Sequence, residues 1–271
     1  MSTSSANSPA DGSTNSCPLP RQSLQLVRPG FSALQVQNLT VAYRQHLALE
    51  NVTVDILPGQ VTGLIGPNGA GKSTLIKALL GLVPAAQGQV TYDGKPLTQQ
   101  RQRVAYVPQR SQIDWQYPAT VWDVVMMGRV QATGWLRRFS AASRQRARAC
   151  LDQVGMGAYC DRTIGDLSGG QQQRVFLARA LAQGADVFCF DEPFVGVDQT
   201  TETVLFKLFS QLADAGKTVL VVNHDLGESI QNFDHLILLN RTIVASGPRS
   251  QVLNPANLNR AYGSTVQFHA A

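Results

Sequence analysis

Gly66 to Thr74, GPNGAGKST, places two glycines, a lysine and a hydroxyl (Gly66, Gly71, Lys72 and Ser73) at the spacing G-x-x-x-x-G-K-[ST]. Gly66, Gly69 and Gly71 let a loop bring its backbone N–H groups close to an anion in conformations a side chain would block. Pro67, Asn68 and Ala70 complete that path. Lys72 supplies a point charge for the β- and γ-phosphates of a nucleotide, Ser73 a hydroxyl for Mg²⁺, and Thr74 opens a helix whose N-terminus favours the same anion. A second cluster stands in VFCFDEP, where an apolar strand ends on two carboxylates, Asp191 and Glu192. Beside a phosphate loop, Asp191 suits Mg²⁺ coordination and Glu192 suits general-base activation of a water.

These groups need elements to hold them. GLI before the loop and LIKALL after it, with Leu75, Leu79 and Leu82 at helical spacing, predict strand, loop, helix. LQVQNLTVAY alternates as a half-buried strand does, VTVDILPGQVTGLIG adds two strands broken at Pro58-Gly59, and Asp93-Gly94 in QVTYDGKPL signals a hairpin, so these pieces are expected to form one antiparallel β region. Val121 to Gly157 reads as helical, and the arginines of RRFSAASRQRARACLDQVG are expected to face solvent. Further on, QQQRVFLARALAQG, VFCFDEP, TETVLFKLFSQLADAG and TVLVVNHD alternate helix and apolar strand, the pattern of a parallel sheet covered on both faces. The carboxyl ends of such strands line the ligand crevice, where Asp191 would meet the phosphates held by Lys72.

A third motif narrows the class. DLSGGQQQR, Asp166 to Arg174, caps a helix at Ser168 and resembles the signature of the ABC ATPase superfamily, just before the Asp191-Glu192 strand. The resemblance covers roughly Leu34 to Gly247 and implies an α/β fold: a P-loop ATPase core with a mostly parallel sheet and helices on both faces, an antiparallel β subdomain and an inserted α-helical subdomain. It also implies that Ser168, Gly169, Gly170 and Gln171 contact the γ-phosphate of ATP held by a second copy of the chain. A helix N-terminus with bare glycines is an anion site of that kind. By the same resemblance Gln109 is the Q-loop glutamine that senses Mg²⁺ and nucleotide, His224 the switch histidine on the γ-phosphate, and Asp198 a D-loop aspartate at the dimer interface. Read alone, Asp198 is a helix N-cap. Tyr43 is either an aromatic platform for adenine or a tyrosine of the core or sheet surface.

Composition limits the remaining possibilities. The chain has 271 residues, 44% of them hydrophobic, with a formal charge of +5 concentrated between Arg129 and Arg148, which implies no nucleic-acid partner. Apolar runs fall far short of the roughly 20 residues that cross a bilayer. Residues 1–30 are expected to be a disordered tail rather than a secretory signal, residues 31–250 the ATPase domain with its helical insertion at about 110–172, and residues 251–271 a C-terminal tail. Cys17, Cys150, Cys160 and Cys189 form no CxxC pair and read as reduced thiols of an intracellular protein. His46, His224, His235 and His269 lack the spacing of a metal site.

The segment VPQRSQIDWQYPATVWDVVMMGR and the phrase DEPFVGVD resemble the ATPases of bacterial manganese, zinc and iron(II) importers. That resemblance implies a peripheral subunit at the cytoplasmic face of the plasma membrane, partnered by an integral permease and indirectly by an extracytoplasmic metal-binding protein, with manganese ranked first as cargo. Trp115, Tyr117 and Trp122 either pack on the permease or belong to the helical core. A soluble cluster-assembly ATPase and an exporter subunit are the competing readings.

Overall fold

The structure, a computed structural model, describes residues 33–263 except 45, 135, 136 and 225. The expected N-terminal tail lies outside the described residues. β1 (Leu34–Tyr43) and β2 (His46–Ile56) pair antiparallel with Val36 opposite Val54 and Tyr43 opposite His46. Their alternating apolar residues face one side, as period 2 requires. β3 (Val61–Ile65) follows the Pro58-Gly59 turn but leaves this sheet, which corrects the single β region expected from sequence. All five of its residues are buried, so VTGLI belongs to a strand covered on both faces. After the phosphate loop comes α1 (Lys72–Leu79), with Leu75 and Leu79 buried. Leu82 lies beyond its end and is 61% exposed rather than continuing the buried stripe. β4 (Gln87–Tyr92) and β5 (Lys95–Pro96) close on Asp93 (φ 55°) and Gly94 (φ 70°), the double positive φ of a type I′ turn. The first sheet has the order β2-β1-β4-β5.

The second sheet receives β3 and everything after β6 (Val104–Val107). Between β6 and the next strand stand α2 (Val121–Met127), α3 (Val130–Thr133), α4 (Ala141–Gln153) and α5 (Gly169–Gln183). Thr120 and Asp123 form a capping box that starts α2, worth about 1 kcal/mol against Ala at Thr120. The chain continues through β7 (Val187–Asp191), α6 (Gln199–Asp214), β8 (Thr218–Val222), β9 (His235–Asn240), β10 (Thr242–Pro248), α7 (Arg249–Val252) and α8 (Pro255–Tyr262). The order is β10-β9-β3-β8-β7-β6, parallel except for β10 on the edge. This topology brings the ends of β3, β6, β7 and β8 to one side of the sheet.

Two sequence expectations change in physical detail. Arg146 does not simply face solvent: its Nε and the Nη1 of Arg129 both donate to the Ala182 carbonyl, at 3.1 and 2.8 Å. Cations there complement the C-terminal end of the α5 dipole just before its left-handed cap at Gly184. Residues 251–262 are not a tail either, because Val252, Leu258 and Ala261 are buried and join the main apolar core as parts of α7 and α8. Residues 264–271, with His269, lie outside the described residues. Cys150, Cys160 and Cys189 are free and buried, while Cys17 lies outside the described residues. No helix among the described residues is long and apolar enough to cross a membrane.

Candidate nucleotide site

The loop after β3 is formed by its glycines. Gly66 (φ 153°), Gly69 (φ 79°) and Gly71 (φ 96°) all adopt positive φ. A Cβ on Gly66 would collide with the Leu239 carbonyl of β9, and one on Gly71 would stand 2.6 Å from Leu49 Cδ2 and 2.7 Å from the Ala48 carbonyl of β2. The loop is therefore clamped on two sides, while Asn68 and Gly69 form an exposed lip. A further bond fixes its middle, from Arg241 N–H in the β9–β10 turn to Ala70 O at 2.8 Å. Lys72 folds back under the loop, and its Nζ donates to the carbonyls of Gly66 (2.7 Å) and Pro67 (3.0 Å). Burial pushes this ammonium below its ordinary range against the pull of Glu192 and Asp191. Ser73 and Thr74 occupy the first turn of α1, half-buried beside it.

β7 delivers Asp191 and Glu192 to the same side. Asp191 is buried; its Oδ2 accepts a 3.3 Å bond from the Tyr106 hydroxyl of β6, and its Oδ1 is buried without a hydrogen-bond partner. Burial first, and the neighbouring Glu192 second, raise this carboxyl above the usual range, opposed by Tyr106, Lys77 and Lys72. Burial and the charge of Asp191 push the Tyr106 phenol well above its own range. Glu192 adopts φ 50°, a conformation that costs a non-glycine residue energy and turns its carboxylate out of the strand line. Its Oε2 receives Gln109 Nε2 at 2.7 Å and has His224 Nδ1 at 3.9 Å. Gln109 and His224 thus meet on Glu192, one from the end of β6 and the other from beyond β8.

The signature lies elsewhere. Ser168 and Gln171 form a capping box, with Gln171 N–H on Ser168 Oγ (3.3 Å) and Ser168 N–H on Gln171 Oε1 (2.9 Å). A Cβ on Gly169 would stand 2.9 Å from Arg110 Nη1 and 3.0 Å from Gly196 O, and one on Gly170 would stand 2.6 Å from Thr201 Oγ1. No hydrogen bond among the described residues joins Ser168, Gly169, Gly170 or Gln171 to the phosphate loop. Asp198 is exposed and N-caps α6, accepting Thr201 N–H at 2.7 Å, and that bond holds its carboxyl below the usual range. Tyr43 is exposed at the tip of the β1–β2 hairpin. Trp115 packs edge-on against Phe176 at 5.3 Å and donates to Arg110 O at 3.0 Å; Trp122 also packs against the core, and Tyr117 is 57% exposed.

Sequence reasoning passed over Tyr106 and Arg110. Tyr106 sits three residues before Gln109 on β6, paired with Cys189 of β7, a placement that requires the strand order. Arg110 donates to Gln172 Oε1 at 3.1 Å and links the segment after Gln109 to the start of α5.

The cradle fits a nucleotide with a divalent cation. A buried Asp191 oxygen with no partner, the Ser73 hydroxyl and the Gln109 amide oxygen are the hard donors that Mg²⁺ prefers, and Lys72 is a buried cation whose bonds among the described residues go to neutral carbonyls. Residues 49–195 match the ABC transporter family. The manganese transport system ATP-binding protein of Listeria monocytogenes is 48% identical over 88% of this chain and 99% of its own. The zinc transport system ATP-binding protein of Treponema pallidum is 50% identical over 86% of this chain and 88% of its own. A bacterial ABC transporter cassette solved as a dimer superposes with TM-score 0.70 at 27% identity, covering 80% of this chain and 98% of that one. This chain belongs to the ABC transporter family as an ATP-binding, ATP-hydrolysing cassette.

Proposed function

We propose that two copies of the chain hydrolyse ATP at shared sites and so drive a membrane permease that imports a transition metal, manganese first. The observation that carries the enzymatic part is the convergence of Gln109 and His224 on Glu192, beside the Asp191 Oδ1 that has no partner among the described residues. Lys72, released from the Gly66 and Pro67 carbonyls, binds the β- and γ-phosphates, and the backbone from Gly66 to Thr74 wraps them. Ser73, Asp191 and Gln109 would hold Mg²⁺, which would supply positive charge to offset that of the phosphates. Glu192 takes the proton of the attacking water, oriented by its bond from Gln109, and His224 contacts the γ-phosphate. Ser168, Gly169, Gly170 and Gln171 of the second copy complete the site from across the interface, with Asp198 beside them. Tyr43, exposed near the loop's β2 wall, offers a face for adenine.

The permease reading rests on the surface after Gln109. A groove of about 310 Å³ there is lined by Pro108, Ile113, Tyr117, Met127, Phe176 and Arg179 among others. Tyr117 and Met127 are exposed on it, the amphipathic and adaptable side chains that suit a docked helix. Such a subunit works at the cytoplasmic face of the plasma membrane, and an extracytoplasmic metal-binding protein feeds its permease. Manganese is favoured by the L. monocytogenes relative, alike over nearly its whole length. Zinc is the second reading, favoured by the T. pallidum relative. Deleting the gene and measuring cell metals at limiting supply tests this. Manganese uptake should fall alone and return with the wild-type chain but not with Lys72→Ala. A zinc deficit with normal manganese would transfer the cargo, and no metal phenotype would refute import.

A further inference from the structure

Arg110 follows directly on Gln109, and the two side chains bond to different parts of the molecule. Gln109 donates to Glu192 at the end of β7. Arg110 is bonded to α5, where its Nε donates to Gln172 Oε1 at 3.1 Å. Gln172 is buried and donates its own Nε2 to Ile164 O at 3.0 Å, so the acceptor is fixed from behind. The guanidinium also stands 5.7 Å from the centre of the Trp115 ring, within the range of a cation–π contact. Trp115 in turn donates to Arg110 O and packs edge-on against Phe176 of α5. Main chain and side chain of Arg110 are thereby tied to the same helix.

The far end of the guanidinium lies where α5 begins. Its Nη1 is 2.9 Å from the place a Cβ on Gly169 would take, and Gly196 O is 3.0 Å from the same point. Gly170 is pressed in the same way on Thr201, whose N–H bonds to Asp198. The first turn of α5 is therefore seated between Arg110 and the 196–201 segment. Helix stability does not account for a cation there, since positive charge beside a helix N-terminus is unfavourable. Spacing does. On the proposed function, a symmetric pair of chains makes two sites, and each chain presents its phosphate loop to one and its α5 start to the other. Both sites close together only if each chain holds those two parts at a set distance. Gln109 and Arg110 span them as neighbours, one bonded to Glu192 and the other to α5.

We propose that Arg110 is a positioning residue for the shared sites: its bond to Gln172 fixes the start of α5 against the segment that carries Gln109, so that Ser168, Gly169 and Gly170 meet the phosphate held by the second copy. It acts on the second copy's nucleotide, not on the one its own chain holds. This rests on the reading of Ser168 to Gln171 as the part that completes the second copy's site.

Arg110→Met keeps an unbranched apolar stem beside Trp115 and removes the donors. The single variant chain should bind ATP within about twofold of wild type, while in a Glu192→Gln background the ATP-dependent dimer should weaken about tenfold, the size of one hydrogen bond to a charged group. Unchanged dimer affinity, with or without a lowered melting temperature, would leave Arg110 a packing residue and overturn the proposal. Added to Gln172→Ala, Arg110→Met should cost little more than Gln172→Ala alone; fully additive losses would refute the bond as the link. Mixed dimers decide which site the residue serves. An Arg110→Met chain paired with a Lys72→Ala chain still joins an intact phosphate loop to an intact α5 start. Turnover should therefore recover to the level of Ser168→Arg paired with Lys72→Ala. No recovery, where the Ser168→Arg pair does recover, would put the effect in the chain's own site and overturn the proposal. If neither mixture recovers although the chains pair, the shared-site reading fails and the proposal with it, a result distinct from the other two.

Discussion

The two ends of β7 carry an aspartate each, and their surroundings are opposite. Asp186, just before the strand, receives Arg103 Nε and Lys217 Nζ, both at 2.7 Å. Burial pushes its carboxyl up, but the bonds from Lys217 and Arg103 outweigh that and hold it below the usual range. Asp191, at the carboxyl end, has one long bond from Tyr106, one oxygen with no partner, and a carboxyl raised by burial and by Glu192. Lys72 nearby is lowered by burial. One end of the strand is electrostatically complete and serves the fold. The other leaves a buried carboxylate oxygen without a partner among the described residues, the incompleteness that the proposed phosphate on Lys72 and cation on Asp191 would resolve.

The largest effects should come from breaking the incomplete end. Glu192→Gln keeps the side chain's shape and its contact with Gln109 but removes the base, so ATP turnover should fall by about 10² or more while ATP still binds and holds a dimer. Turnover equal to wild type would remove Glu192 from the role. Ser168→Arg, at the N-cap of α5, should abolish turnover on the proposed reading and leave ATP binding by the single chain intact. Mixed with Lys72→Ala chains it should regain activity at about one of the two shared sites. Absence of rescue, with wild-type and mutant chains shown to pair, would count against shared sites.

A smaller effect is expected at the complete end. Asp186→Asn should destabilise the protein by about 1–2 kcal/mol at pH 7, the worth of charged hydrogen bonds discounted for partial exposure. The sign of the pH dependence follows from a folded pKa below the unfolded one of about 3.9. The Asp186 contribution is present above the unfolded value and lost as pH falls through the folded one, so wild type and variant should converge in acid. Denaturant melts at pH 7 and pH 3 check this, and a gap that persists or widens in acid would refute it.

What could be read from sequence divides along the same line. The loop from Gly66 to Ser73, the β7 carboxylates and the capped start of α5 are local: each is fixed by residue type at short spacing, and each appears where it was expected. Features that depend on which strands are neighbours were not legible. The sequence puts β3 in the antiparallel region because only the Pro58-Gly59 break separates it from β2, whereas burial on both faces goes with its place between β9 and β8. Tyr106 and Arg146 act through partners 85 and 36 positions away, at Asp191 and Ala182, a kind of contact that no local spacing signals.

The contrast between the two aspartates is tested most directly by melting nucleotide-free Asp191→Asn. Replacing the carboxylate removes a buried charge whose Oδ1 has no hydrogen-bond partner among the described residues and whose carboxyl burial raises. The account predicts a melting temperature equal to wild type or higher by ~2–4 °C, for a gain of about 1 kcal/mol in a chain of this size, with ATP turnover lost. A fall of the size expected for Asp186→Asn would mean that Asp191 is satisfied within the fold, and would contradict the claim that this end of the sheet is held incomplete for its ligand.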